Sequence, residues 1–257
     1  MVTTPGEVLA RPAADGGQGP GGSDRDDSGA WAGVGAFDHG WRSRANAAFF
    51  SAIDRYAAYV SQWHKRVAFD GLTASSIVEI GPGVGANFAW YPAGATVWAI
   101  EPNMAMHPRL SERAADAGID LRIVPTGAAT LPFEDSSVDC VVSTLVLCSV
   151  DDPHAAITEI RRVLRPGGTF RFVEHIAARP GRPRALLQRA LRRPWAWLFE
   201  GCDLLRHTDT LIRTAGFDHV DLHHRRLRRS LFVPVNSVVA GIAHVVDAGR
   251  RSSRRSS

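Results

Sequence analysis

Lysine is almost missing from this chain: Lys65 is the only one, although lysine and arginine together number 30. No Tyr-x-x-x-Lys pair can therefore be written after the first strand, which argues against a nicotinamide-dependent oxidoreductase built on that pair. Cysteine is scarce too. The three cysteines, Cys140, Cys148 and Cys202, form no C-x-x-C pair and no metal-like Cys/His spacing, so neither a disulfide framework nor a zinc site is expected, and a reducing cytoplasm fits. No apolar run approaches the roughly 18–20 residues needed to span a bilayer, and residues 1–30 lack the basic start and apolar core of a signal peptide. The expectation is a soluble cytoplasmic protein without a transmembrane segment, at most peripherally attached.

Large apolar side chains are also missing from residues 1–30, which are rich in Gly, Pro, Ala and Asp and cannot offset the entropy of ordering. They are expected to form a disordered arm. A helical lid or cap segment follows over 31–74, one catalytic-size domain over 75–248, and a disordered Arg/Ser tail over 249–257. The full chain of 257 residues suits one domain with extensions. The formal charge of +4 resides largely in Arg225, Arg226, Arg228, Arg229, Arg250, Arg251, Arg254 and Arg255, a pattern of solvated surface unaccompanied by any nucleic-acid-binding motif. No nucleic-acid partner is expected, and oligomeric state is not legible.

Apolar residues Phe49, Ile53, Tyr56, Ala57 and Val60 recur at helical spacing and predict an amphipathic helix over 45–67. A βα alternation then begins. Strands are expected at 76–80, 96–100, 121–124, 138–143 and 169–173, with further sheet-like segments around 220–224 and 231–233. Runs this apolar are buried on both faces, so the fold class is α/β: a Rossmann-like, doubly wound, mainly parallel seven-stranded sheet with helices on both faces. One helix is clearly punctuated, with Asp152 as N-cap, Pro153 at its first position, Ile157, Ile160 and Leu164 along one face, and Pro166-Gly-Gly168 as its stop. Trp195, Trp197 and Phe199 in the Arg-rich stretch beyond are assigned to a helix and its core contacts, or else to an apolar acceptor site.

The chemistry centres on Glu79-Ile-Gly81-Pro-Gly83-Val-Gly85-Ala-Asn87. Glycines permit a sharp turn and close approach of backbone to ligand, and in an open parallel sheet the ligand crevice lies beyond the strands' C-terminal ends. A nucleotide-like cofactor is expected there. The same residues satisfy the dinucleotide pattern G-x-G-x-x-A, but Glu79, two residues before the first glycine, would repel a pyrophosphate and accommodate a cationic amino-acid group. Glu101, ending the second strand, can accept both hydroxyls of a ribose.

Glu79-x-Gly81-x-Gly83-x-Gly85, Glu101, Leu131-Pro-Phe133 with Ser137-Val-Asp139, and Leu164-Arg-Pro-Gly-Gly168 together resemble the class I S-adenosylmethionine (SAM)-dependent methyltransferases, in the order that family shows them. Gly85-Ala-Asn-Phe88 with Tyr91-Pro92, Thr144 to Val150, Glu174-His175 and Gly201-Cys202 are similar to the branch of the animal membrane-associated alkyl-thiol methyltransferases. The resemblance implies SAM as cofactor and a small-molecule acceptor, a thiol above all. O- or C-methylation of a small natural product or lipid-like substrate, and a non-catalytic SAM-binding module, are the alternatives. It further implies that Gly81, Pro82 and Gly83 wrap the methionine part, Glu101 holds the ribose, Asn103 and Met104 border the adenine, and Leu145 lies near the sulfonium, with Glu79, Gly85 and Pro102 in the same cofactor site. Ala128 stands where the family commonly has an acidic residue, so adenine recognition there falls to the Ala128 and Ala129 backbone. A thiol with a pKa near 8.5 is already partly thiolate at neutral pH and needs little base catalysis, unlike an alcohol. Candidate orienting or basic groups are His175, His39 and Asp38; no metal ligand is assigned.

Overall fold

The computed structural model describes residues 40–227 and 230–246. The arm over 1–30, the tail over 249–257 and the candidates Asp38 and His39 lie outside the described residues.

Seven strands form one sheet: β1 (Ser76–Ile80), β2 (Thr96–Ile100), β3 (Asp120–Val124), β4 (Val138–Thr144), β5 (Leu164–His175), β6 (His219–Arg226) and β7 (Ser237–His244). Their order across the sheet is β3-β2-β1-β4-β5-β7-β6. The first five are parallel, and β7 runs antiparallel to both β5 and β6. The chain starts in the middle at β1, steps outward to β3, then returns to β4 on the other side of β1. That reversal opens a crevice at the C-terminal ends of β1 and β4.

Helices α2 (His107–Ala117) and α3 (Pro153–Val163) cover opposite faces. Strand residues alternate between the two cores: Val78, Ile80 and Val141 join Ile157 and Ile160 of α3 on one face, while Ile77, Val97 and Val142 join Leu110 and Ala114 of α2 on the other. Two covered faces explain why the strands carry apolar residues at consecutive positions rather than only at alternate ones. The expected cap is present, with the Asp152 carboxylate accepting from the Ala155 amide at 2.9 Å and Pro153 opening α3.

Three expectations need correction. The first helix, α1 (Trp41–Phe69), buries a largely polar face made of Ser43, Asn46, Asp54, Ser61, His64 and Lys65, whereas Phe49, Ile53, Tyr56, Ala57 and Val60 are only half-buried. The domain presents polar partners on that side: Arg113 donates to Asp54, Lys65 Nζ donates to the Ala86 carbonyl at 2.8 Å, and Asn46 to that of Leu198 at 3.1 Å. Next, α3 ends at Val163, and Leu164 already pairs with Val138, so Pro166-Gly-Gly168 belongs to an early, irregular part of β5. Finally, the last strand is Ser237–His244, not 231–233, which leads into a single 3-10 turn at Val233–Val235. Gly241 is what admits β7 between its neighbours, since a Cβ there would lie 1.9 Å from the Asp221 carbonyl oxygen.

Between β5 and β6 lie α4 (Pro183–Leu198) and α5 (Thr208–Thr214). Trp197 is 55% exposed, which removes it from the core to which the sequence assigned it. Among the described residues no helix is long and apolar enough to cross a membrane.

Candidate active site

The bend after β1 holds Gly81, Gly83 and Gly85 at φ of 57°, 58° and 80°, the left-handed region that side chains resist. At Gly81 the need is also steric, because a Cβ would stand 2.6 Å from a Val146 methyl carbon. At Gly83 a Cβ would meet nothing within 4 Å, so this backbone faces open space. The bend is braced from behind. Gly81 N donates to the Ile100 carbonyl at 2.9 Å, and the lone lysine, itself buried, holds Ala86 from α1.

Glu101 closes the front. Its Oε2 accepts from Gly83 N at 2.9 Å and its Oε1 from Asn103 N at 2.9 Å. Glu79 lies beneath the bend, where Asn87 Nδ2 donates to its Oε1 at 2.7 Å and to Thr144 Oγ1 at 3.0 Å. Asn87 thereby links β1, the bend and β4. The Tyr91 ring meets Phe69 edge-on and its phenol favours the charged form of Glu79, but Glu79 Oε2 and Tyr91 OH form no hydrogen bond of ordinary geometry. Glu174, at the end of β5, accepts from Ser143 Oγ at 2.5 Å, Val146 N at 3.1 Å and Leu147 N at 3.2 Å. This carboxylate folds the turn after β4, in which Leu145 takes the left-handed φ of 59° and remains exposed. Such strain, about 1–3 kcal/mol for a non-glycine residue, persists only where the surroundings impose it.

Burial pushes all three carboxyls, Glu79, Glu101 and Glu174, up to about 7, against the hydrogen bonds that oppose it. Burial lowers Lys65 to about 8, with Glu79 and Asp54 resisting. A group whose folded pKa is raised stabilises the fold below its unfolded value near 4.5, and loses that contribution as pH rises through about 7. Glu174→Gln, which cannot ionise, should therefore become more stable relative to the parent protein as pH climbs from 5 to 8. Paired urea melts across that range test this, and a constant gap would reject it.

The sequence-predicted residues meet at one end of the sheet, with differing availability. Gly81 and Gly83 are half-buried, and Pro82 and Gly85 are buried. Pro102 is half-buried, and Met104, 64% exposed, is free to cover a planar group. The Asn103 side chain is committed to the protein: it accepts from Ala105 N at 3.0 Å and donates to Glu200 at 2.8 Å. Ala128 is packed in the core beside Ile100 and Val124, while Ala129 is exposed. His175 is buried, with both ring nitrogens unpartnered, and burial lowers its pKa to about 4, so it is neutral. No metal-like spacing joins the cysteines in the sequence, yet the fold brings Cys148 and Cys202 to His175. Asn87, Thr144, Glu174 and Lys65 are supports to which the motif reading gave no role; an Asn two residues past the last glycine is the signal that could have found the first of them. A wide groove of about 750 Å³ between the end of α1, Trp90 and the β6–β7 ribbon shares none of these residues.

Residues 78–172 match the family described as methyltransferase domain. Fold and strand order agree with this match, which places a methyltransferase domain within the chain. More particularly, the chain is 39% identical over 152 residues to the human thiol S-methyltransferase TMT1A, covering 58% of this chain and 62% of that protein. It is 39% identical over 150 residues to the rat thiol S-methyltransferase TMT1B, covering 57% and 62%. It thus spans about three fifths of those relatives. Among solved structures the same fold occurs in the methyltransferase bound to the Haloferax volcanii Trm112 activator, with a TM-score of 0.59 at 16% identity over 80% of this chain and 98% of that one. Geranyl diphosphate methyltransferase gives 0.55 at 17%, over 83% and 97%.

The residues present fit SAM, the cofactor that the sequence motifs imply. Each Glu101 oxygen accepts only one hydrogen bond where a carboxylate oxygen can take two, which leaves room for a pair of vicinal hydroxyls. Beside it nothing stands within 4 Å of where a Gly83 Cβ would lie, and the buried Glu79 suits a cationic neighbour.

Proposed function

We propose that this protein is a SAM-dependent methyltransferase whose acceptor is a small-molecule thiol. The observation that carries the cofactor half is the Glu101 carboxylate locked across the Gly81–Gly85 bend. The thiol half is supported by relatives named as thiol S-methyltransferases at 39% identity. Bound SAM supplies an electrophilic methyl group; the protein's task is to align an incoming nucleophile in a dry pocket. Leu145, held out by its strained turn, fits a place beside the reacting centre. The Gly83 and Glu101 pair fixes the sugar, and Met104 covers the base.

The segment 31–74 serves as a cap in this reading, with the N-terminal half of α1 over the acceptor. Support comes from an aromatic wall: Phe49 packs on Phe199 at 5.6 Å and on Phe232 at 5.9 Å, and Trp195 on Phe199 at 4.5 Å between ring centroids. A wall of this kind suits an apolar thiol. His175, buried and neutral, can orient the acceptor side only through its surroundings, and a nucleophile that ionises unaided needs no stronger base. Incubation with methyl-labelled SAM and a panel of alkyl thiols, phenols and amines should label the thiols. Labelling of phenols alone points to O-methylation, and binding without turnover to a non-catalytic module.

A further inference from the structure

Cys148 lies in the turn after β4, His175 ends β5, and Cys202 follows α4, so three separate elements deliver one cluster. The two sulfurs are 3.4 Å apart, and the donor atoms of all three residues lie within 4.8 Å of one another. Each residue is buried, at 2%, 1% and 7% exposure. Both His175 ring nitrogens lack any hydrogen-bond partner. A buried polar group without a partner is costly, and native interiors rarely leave one without reason.

We propose that Cys148, His175 and Cys202 form a binding site for a thiophilic d10 cation, zinc(II) or copper(I). The donor set selects the class: two sulfurs and an imidazole suit soft or borderline ions, and hard magnesium or calcium would demand oxygens. The neighbouring carboxylates are not competitors, since Asp203 is engaged by Arg192 at 2.9 Å on both oxygens and Glu174 by Ser143 Oγ and the Val146 and Leu147 amides. Distance separates this from a disulfide. Two thiolates at about 2.3 Å from a tetrahedral cation stand about 3.8 Å apart, so these sulfurs need to part by only a few tenths of an ångström. A disulfide, near 2.05 Å, would require them to close by more than 1 Å.

The donors are also preorganised. Asp203 N donates to the Cys148 carbonyl at 2.9 Å, tying the two cysteine-bearing turns together, and Arg206 donates to the Leu147 carbonyl at 3.0 Å. His175 is fixed in register opposite Val238. The neutral imidazole has a lone pair to give, and the bound cation would displace both thiol protons to solvent as it forms two metal–sulfur bonds. Occupied, the site would fasten the turn that follows Leu145 to the end of α4, on the aromatic wall's side.

The full-length protein, reduced and stripped with a chelator under anaerobic conditions, should take up one equivalent of zinc(II) or of copper(I), whichever it prefers in competition against a chromophoric chelator. Cobalt(II) should give the intense near-ultraviolet band of thiolate ligation, a readout that needs no variant, no SAM and no acceptor. Cys148→Ala and Cys202→Ser should each weaken uptake at least tenfold, whereas Cys140→Ser, outside the cluster, should leave it unchanged. The inference is overturned if the reduced wild-type protein binds neither ion stoichiometrically, if cobalt(II) shows no thiolate band, or if folded Cys148 and Cys202 variants bind as well as wild type. It does not rest on the methyl-transfer reading, and inactive protein that binds the ion would sink only the latter.

Discussion

Replacing Glu101 by alanine should weaken SAM binding by about 2–4 kcal/mol, roughly 30- to 1,000-fold in Kd. Two hydrogen bonds to a charged acceptor are lost at once, and the Gly83 and Asn103 amides that now reach the carboxylate are left without a partner. Calorimetry on a variant shown to be folded by circular dichroism measures the effect, and unchanged affinity would remove Glu101 from the site. The same carboxylate gives binding a pH dependence. Burial raises it to about 7, and the ionised form is the better acceptor, so wild-type affinity should rise between pH 6 and 8. Glu101→Gln should flatten that rise, and what slope remains belongs to Glu79, whose carboxyl burial lifts to the same value.

What could be read from the sequence was whatever local chemistry decides. The apolar runs of β1, β2 and β4 are long enough to mark strands covered on both faces, and the Gly81–Gly85 spacing with Glu101 one strand later locates the cofactor end. The Asp152 cap and its following proline fix where α3 begins. Long-range pairing hid the rest. The buried face of α1 is polar because Arg113 and the Ala86 carbonyl wait on the domain side, and no periodicity within 41–69 can announce partners that far along the chain. The strand at 237–244 carries a glycine that reads as a break, but serves the close approach of β6. Cys148, His175 and Cys202 are 27 residues apart at each step, a spacing that matches no motif and acquires meaning only when β4, β5 and the end of α4 meet.

Gly81→Ala should destabilise the protein by about 2–5 kcal/mol, with a steric share at least as large as the backbone share. The left-handed φ of 57° alone costs an alanine about 1–2 kcal/mol. The added Cβ would also stand 2.6 and 2.7 Å from the two Val146 methyl carbons, and overpacking of this degree costs about 1–3 kcal/mol. Val146 cannot step aside freely, because its amide is held by Glu174 in the turn that presents Leu145. Relief must therefore come from the side chain. Val146→Ala removes both methyl groups and leaves only its Cβ at 3.2 Å, so the double variant Gly81→Ala/Val146→Ala should recover most of the steric share and retain the backbone share, giving a favourable coupling of about 1–3 kcal/mol in a double-mutant cycle. Urea denaturation of the four proteins measures it. Strict additivity would mean that Gly81 is required for its dihedral angle alone, and that the bend and the β4 turn do not press on one another.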